Sequence, residues 1–173
     1  MTLPAPKPYK MANGFTFIEL TVVIFLIGLT LVLTLPKIRH GLFTDGLKTT
    51  VRRMEGKIWE LRNTAVRERK AFMLRLDLES GQYWWEWPKM KEKERQDAKE
   101  RAVQLPEGVR ILDVWRQGTG KKAGGESTIH FTKKGYVEPS VIHLEADDGR
   151  QFTLILNPFL PKVQVIDKYV DFA

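Results

Sequence analysis

The first patterned stretch of the chain is apolar on every face. No residue from Leu20 to Leu35 is charged, and Phe15 to Ile18 extend the run upstream. The hydrocarbon core of a bilayer, ~30 Å, needs about 20 apolar helical residues. Residues 15–36 therefore predict a transmembrane helix, with Glu19 near its start. Beyond it, Val51, Met54, Ile58, Leu61 and Ala65 recur at spacings of three and four, while Arg52, Arg53, Glu55, Lys57, Arg62, Arg67 and Glu68 take the other faces. That is one apolar stripe, and it predicts an amphipathic continuation of the helix over 37–70. Pro36 lacks an amide hydrogen and predicts a kink or brief break between the halves.

From Ala71 the period drops to two. Phe72, Leu74, Leu76 and Leu78 alternate with Met73, Arg75 and Asp77, as in a strand with one buried face. Glu79-Ser80-Gly81-Gln82 is a turn signal, and Tyr83 to Trp87 reads as the returning strand. Further strands are predicted at Val109 to Trp115, Ile129 to Phe131, Val141 to Glu145, Phe152 to Leu156 and Val163 to Ile166. Gly135 and Asp147-Asp148-Gly149 mark turns between them. The fold class is α+β: a long N-terminal helix, transmembrane in its first half, packed on an antiparallel β-rich domain over 71–173. Residues 88–102 break the pattern. They carry six basic and four acidic residues and no apolar stripe, so they form either an exposed helix or a loop. Their surface suits a partner or nucleic acid, or simply solvent.

Composition changes this picture little. The chain has 173 residues, 28 basic against 21 acidic, and no cysteine. The length suits one domain with an appendage. The absence of cysteine excludes a disulfide framework, a thiolate zinc site and a cysteine nucleophile. The formal net charge of +7 allows nucleic acid or an anionic membrane as partner, although interleaved acids favour an ordinary mixed surface. A cleaved secretory signal fits poorly, because the apolar run is long and no A-x-A-like site follows it.

Candidate chemistry is sparse. His40, His130 and His143 are the only histidines; the last two fall in predicted strands, as structure or as ligands. Asp147 and Asp148 could bind calcium, or simply make a turn. Residues 118–127 are glycine-rich but lack the G-x-x-x-x-G-K-[ST] spacing of a phosphate loop, and read as a flexible hairpin tip. Tyr83, Trp84, Trp85 and Trp87 could stack bases or pack a sheet. No nucleophile–base pair or metal-ligand spacing stands out, so no catalytic residue, metal or cofactor is expected and the chain is not read as an enzyme.

The charge inside the apolar segment is the sharpest feature. A carboxylate in hydrocarbon is expensive and marks a function by default. Gly14-Phe15, then Glu19, then an apolar run reaching Pro36, resembles the signal of type IV pilins and type II secretion pseudopilins. The resemblance implies a cytoplasmic leader, 1–14, removed after Gly14 by a prepilin peptidase that also methylates the new N-terminus of Phe15. It implies that Glu19 meets such an N-terminus on a neighbouring subunit during assembly, and it matches Pro36 to a helix-kinking proline. Leu61 to Ala65, Phe72 to Asp77, Ser80 to Tyr83, Ile129-His130-Phe131 and Phe152 to Asn157 resemble the GspH/FimT branch, a minor pseudopilin of type II secretion. Pro161-Lys162 and the insertion 88–102 depart from that pattern. The resemblance implies a single-pass inner-membrane protein with a periplasmic C-terminal domain, assembling with other pseudopilins and the secretion machinery to help export folded proteins. The alternative is a FimT-like minor pilin binding DNA for uptake or aiding pilus assembly; nucleic acid is the less expected partner.

Overall fold

The computed structural model describes residues 16–42 and 46–172, with side chains for 16–30 and 46–172. Two compact units divide the chain between Phe43 and Thr44. The first holds α1, Phe17–Leu42. It runs unbroken through Pro36, where the sequence predicted a kink or break. Proline removes one backbone hydrogen bond, yet its φ is already helical.

The second unit begins with α2, Gly46–Glu68. Its buried apolar residues, Leu47, Val51, Met54, Ile58, Leu61 and Ala65, are the predicted stripe extended by one turn at its start. Two antiparallel sheets follow. One contains β1 (Phe72–Asp77), β2 (Gln82–Glu86), β3 (Val103–Gln104) and β6 (Glu126–Phe131), in the order β3-β2-β1-β6. The other contains β4 (Val109–Arg116), β5 (Gly120–Lys122), β7 (Ser140–Ala146), β8 (Gln151–Leu156) and β9 (Gln164–Ile166), in the order β5-β4-β7-β8-β9. The hairpin after α2 forms as read, pairing Leu74 with Trp85 and Leu76 with Tyr83. The glycine-rich stretch holds more order than a hairpin tip, because Lys121 and Lys122 pair with Trp115 and Val114. Residues 88–102 contain α3, Glu92–Glu100, none of whose residues is buried.

One core joins α2 to both sheets. Leu74, Leu76, Ile129 and Phe131 enter it from the first sheet, and Ile111, Val114, Ile142, Leu144 and Leu154 from the second. Ile111 and Val114 are three residues apart and still both face inward, because a register shift interrupts β4 between Ile111 and Asp113.

The outer face of the second sheet is also covered. His143 is fully buried there. Its Nδ1 lies 2.6 Å from Asp113 Oδ1 and its Nε2 lies 2.8 Å from the Val170 carbonyl. A carbonyl only accepts, so Nε2 donates its hydrogen to Val170. The Tyr169 hydroxyl donates to Asp113 Oδ2 at 3.1 Å, and its ring stacks on His143 with centroids 4.1 Å apart. Thr153 Oγ1 donates to the Lys168 carbonyl and accepts from the Val170 amide. Trp115 meets Phe172. These contacts strap residues 168–172 across the sheet.

Arg62 of α2 ties down two loops. Its guanidinium donates to the carbonyls of Gly135, Asn157, Pro158 and Leu160. Gly135 has φ +82°, and a β-carbon there would lie 2.7 Å from Val66 Cγ2. In denaturant unfolding, Gly135→Ala should therefore lose about 2 kcal/mol, from left-handed backbone strain plus the clash. Val66→Ala alone should stay within about 0.5 kcal/mol because Val66 is exposed. The double variant should be more stable than Gly135→Ala; equal stability would refute the clash. Asp113→Ala leaves Nδ1 of the buried His143 and the Tyr169 hydroxyl without their shared partner and should lose about 3 kcal/mol. Hydrogen exchange should then speed up at the Val170 amide before it does in β1 or β6.

Candidate functional site

Of the residues singled out by sequence, Glu19 and Pro36 belong to α1. Gly14 and Phe15, expected to flank a processing cut, lie outside the described residues. Glu19 is described: it sits in the first turn of α1 and is exposed. Its backbone amide donates to Thr16 Oγ1 at 3.2 Å, and the Leu20 amide to the Thr16 carbonyl at 3.1 Å. Thr16 thus caps the helix and Glu19 is its third residue, the spacing of a capping box. That signal, Thr-Phe-Ile-Glu, was present in the sequence and was missed beside the more conspicuous charge. The helix dipole favours a carboxylate in this turn. Among the described residues Glu19 has no ion-pair partner, so its side chain is available to a cation from elsewhere.

The rest of this surface is apolar. Phe17 is 87% exposed and Ile18 72%, and Leu20 and every apolar side chain from Val22 to Ile27 are exposed as well. Its hydroxyls are satisfied internally. Thr21 Oγ1 donates to the Phe17 carbonyl, and Thr30 Oγ1 to those of Leu26 and Ile27. A helix that closes its own polar groups can lie among hydrocarbon or other apolar helices. Among the described residues no helix is long and apolar enough to cross a membrane. Over 16–30, where side chains are described, the apolar surface covers about 20 Å, short of a ~30 Å core. Pro36 lies in α1 beyond those side chains, as does His40.

Elsewhere the candidate residues are dispersed. His130 is exposed, with Nδ1 2.7 Å from Glu138 Oε2, whereas His143 belongs to the buried strap network. Asp148 accepts from the Arg150 amide and pairs with its Nε. Among the described residues no group of three or more His, Cys, Asp or Glu is placed to hold a metal. Tyr83 and Trp84 are buried at 3% and 2% exposure, too deep for stacking with a nucleobase. The Trp84 indole N–H donates to buried Glu86. Trp85 and Trp87 are half-buried, with Lys57 Nζ 3.8 Å and Lys70 Nζ 3.6 Å from their respective ring centroids. The cluster is therefore mostly sheet packing. Asp113, Tyr169 and Arg62 went unread as a group because their partners lie far along the chain.

No family model matches the sequence, and no curated protein does. Solved structures match the fold. A structure of the minor pseudopilin EpsH from the type 2 secretion system of Vibrio cholerae superposes with a TM-score of 0.51 at 15% identity, covering 71% of this chain and 98% of that one. A crystal structure of the same minor pseudopilin gives 0.54 at 14% identity, covering 74% and 98%. What this chain shares with them is the minor pseudopilin fold.

Proposed function

We propose that the chain is a minor pseudopilin, a structural subunit of a type II secretion pseudopilus that helps export folded proteins. One combination carries this reading. A sequence segment free of charge from Phe15 to Leu35, except for a carboxylate in the first turn of α1, precedes a domain with the pseudopilin fold. In this reading residues 1–14 are a leader cut off after Gly14, and α1 anchors the subunit in the inner membrane with the domain in the periplasm. Cutting creates an α-amine at Phe15, which is then methylated.

The physics of Glu19 supports the pairing. An amine and a carboxylate are each expensive in hydrocarbon, and together the penalty partly cancels. Thr16 already caps the helix through its hydroxyl, so the Glu19 carboxylate can meet an amine without uncapping α1. A neighbouring subunit's N-terminus would then be held at one height along the helix, a register device of the kind that buried polar groups supply. The apolar side chains around it would pack against lipid first and against other subunits' helices after assembly. The partners are other pseudopilins, the prepilin peptidase and the secretion machinery. The chemistry is assembly, with no catalytic residue assigned.

Coexpression with a prepilin peptidase, read by intact mass, should give a product that begins at Phe15 and carries one added methyl. An uncut chain, or a cut far downstream, overturns the assignment. Glu19→Ala should still be cut and inserted in the membrane but should fail to enter filaments and to support secretion. Normal secretion in that strain refutes the pairing role.

A further inference from the structure

α3 presents an unusual inner face. Glu94, Asp97, Ala98 and the C-cap residue Arg101 follow one another at helical spacing, and all four line a cavity of about 260 Å³. The opposite wall is Trp85, Trp87 and Met90. A helix on a sheet normally turns apolar side chains inward. Here the inward groups are charged, none of the helix is buried, and the space they face is open. α3 is held by other means. The Lys91 amide donates to Glu94 Oε2, Lys99 pairs with Glu126 at 2.8 Å, and Lys99 Nζ lies 5.0 Å from the Trp84 ring centroid.

The two tryptophans already bind cations. Lys57 and Lys70 reach from α2 and the residues after it to place ammonium groups over the Trp85 and Trp87 rings, while the cavity is closed by α3. An indole face attracts ammonium and guanidinium groups through its quadrupole, and Met90 adds a polarizable surface. Of the charged residues that line the cavity itself, Glu94 and Asp97 are carboxylates and Arg101 is a cation, while the Lys57 ammonium over Trp85 is already paired with Glu60. Among the described residues Asp97 and Arg101 have no ion-pair partner. The volume admits one long side chain and is smaller than an ordinary cofactor site.

We propose that this pocket takes a lysine or arginine side chain presented by a partner polypeptide. The aliphatic stem lies along Trp85, Trp87 and Met90, the cationic head meets Asp97 and Glu94, and Arg101 donates to the partner's main chain. The pocket goes beyond the filament reading and does not depend on it, since neither Glu19 nor α1 takes part.

The test uses the full chain in detergent micelles, with the five tryptophan indole N–H signals followed by NMR. The probe is the peptide acetyl-Gly-Arg-Gly-amide, against the same peptide with neutral citrulline in place of arginine. The arginine peptide should shift the Trp85 and Trp87 signals saturably and leave Trp59 and Trp115 unmoved. Citrulline should bind about tenfold more weakly, as should the arginine peptide to the Glu94→Gln/Asp97→Asn variant. Both substitutions are at the surface, and unchanged Trp59 and Trp115 signals will report an intact fold. Equal binding of the two peptides, or no saturable shift at millimolar concentration, overturns the proposal. Binding of free ethylguanidinium with exclusion of the peptide overturns the assignment to a polypeptide-borne side chain.

Discussion

Leu47, Val51, Met54, Ile58, Leu61 and Ala65 form the surface on which both sheets of the second unit close. Neither sheet is long or wide enough to bury its apolar face alone. The helix joins them by packing against β6 of one and β7 of the other, so that a single core is made from two half-cores. Arg62, on the same helix, extends this role from apolar contact to hydrogen bonding. Lysine could not substitute, because the four carbonyls are reached by a planar fork of donors and not by a point charge. Helix α2 thereby sets the position of the 157–160 loop and of the Gly135 turn as well as the core.

The second sheet has a further constraint on its outer face. An exposed antiparallel face would carry polar residues alternating with the core, and β7 does alternate Ser140, Ile142 and Leu144 with Val141, His143 and Glu145. Yet Val141 and His143 are as buried as Ile142 and Leu144. The C-terminal strap supplies the cover, and the His143–Asp113–Tyr169 network satisfies the polar groups that this cover removes from water. A buried network of this kind stabilises only when every member has a partner. Residues 168–172 are therefore part of the domain's packing.

How much of this could be read in advance depended on range. The stripe on α2 and the alternation from Phe72 to Leu78 are local periodicities, and both became elements close to where they were expected. The division into two sheets was not legible, because β6 pairs back to β1 across the whole of β2 to β5, while β4 pairs forward to β7. Nothing in the local pattern records that choice. β3 and β5 are too short for a period to appear. The candidate site divides in the same way. Glu19 announced itself as a charge in an apolar run, and Thr16 was readable from its spacing to Glu19. The residues facing Trp85 and Trp87 looked like a solvated charge run, because only the fold sets α3 opposite an aromatic wall.

Arg62 also bears on the order of folding. Its bonds join residues 73 to 98 positions apart, and the first sheet closes where β1 pairs with β6, from Phe72 with Phe131 to Asp77 with Glu126. Such contacts wait for large loops to close and place a domain with many of them among the slower folders. Every hydrogen bond described within α1 is local, and a helix of this kind forms in about a microsecond. If α1 anchors the chain, it is in place long before the sheets are complete. The domain then searches for its core as a tethered body, close to other tethered bodies with unpaired strand edges. The charged side chains interleaved along that domain are of the kind that keeps an exposed strand edge from pairing with a neighbour's during the interval.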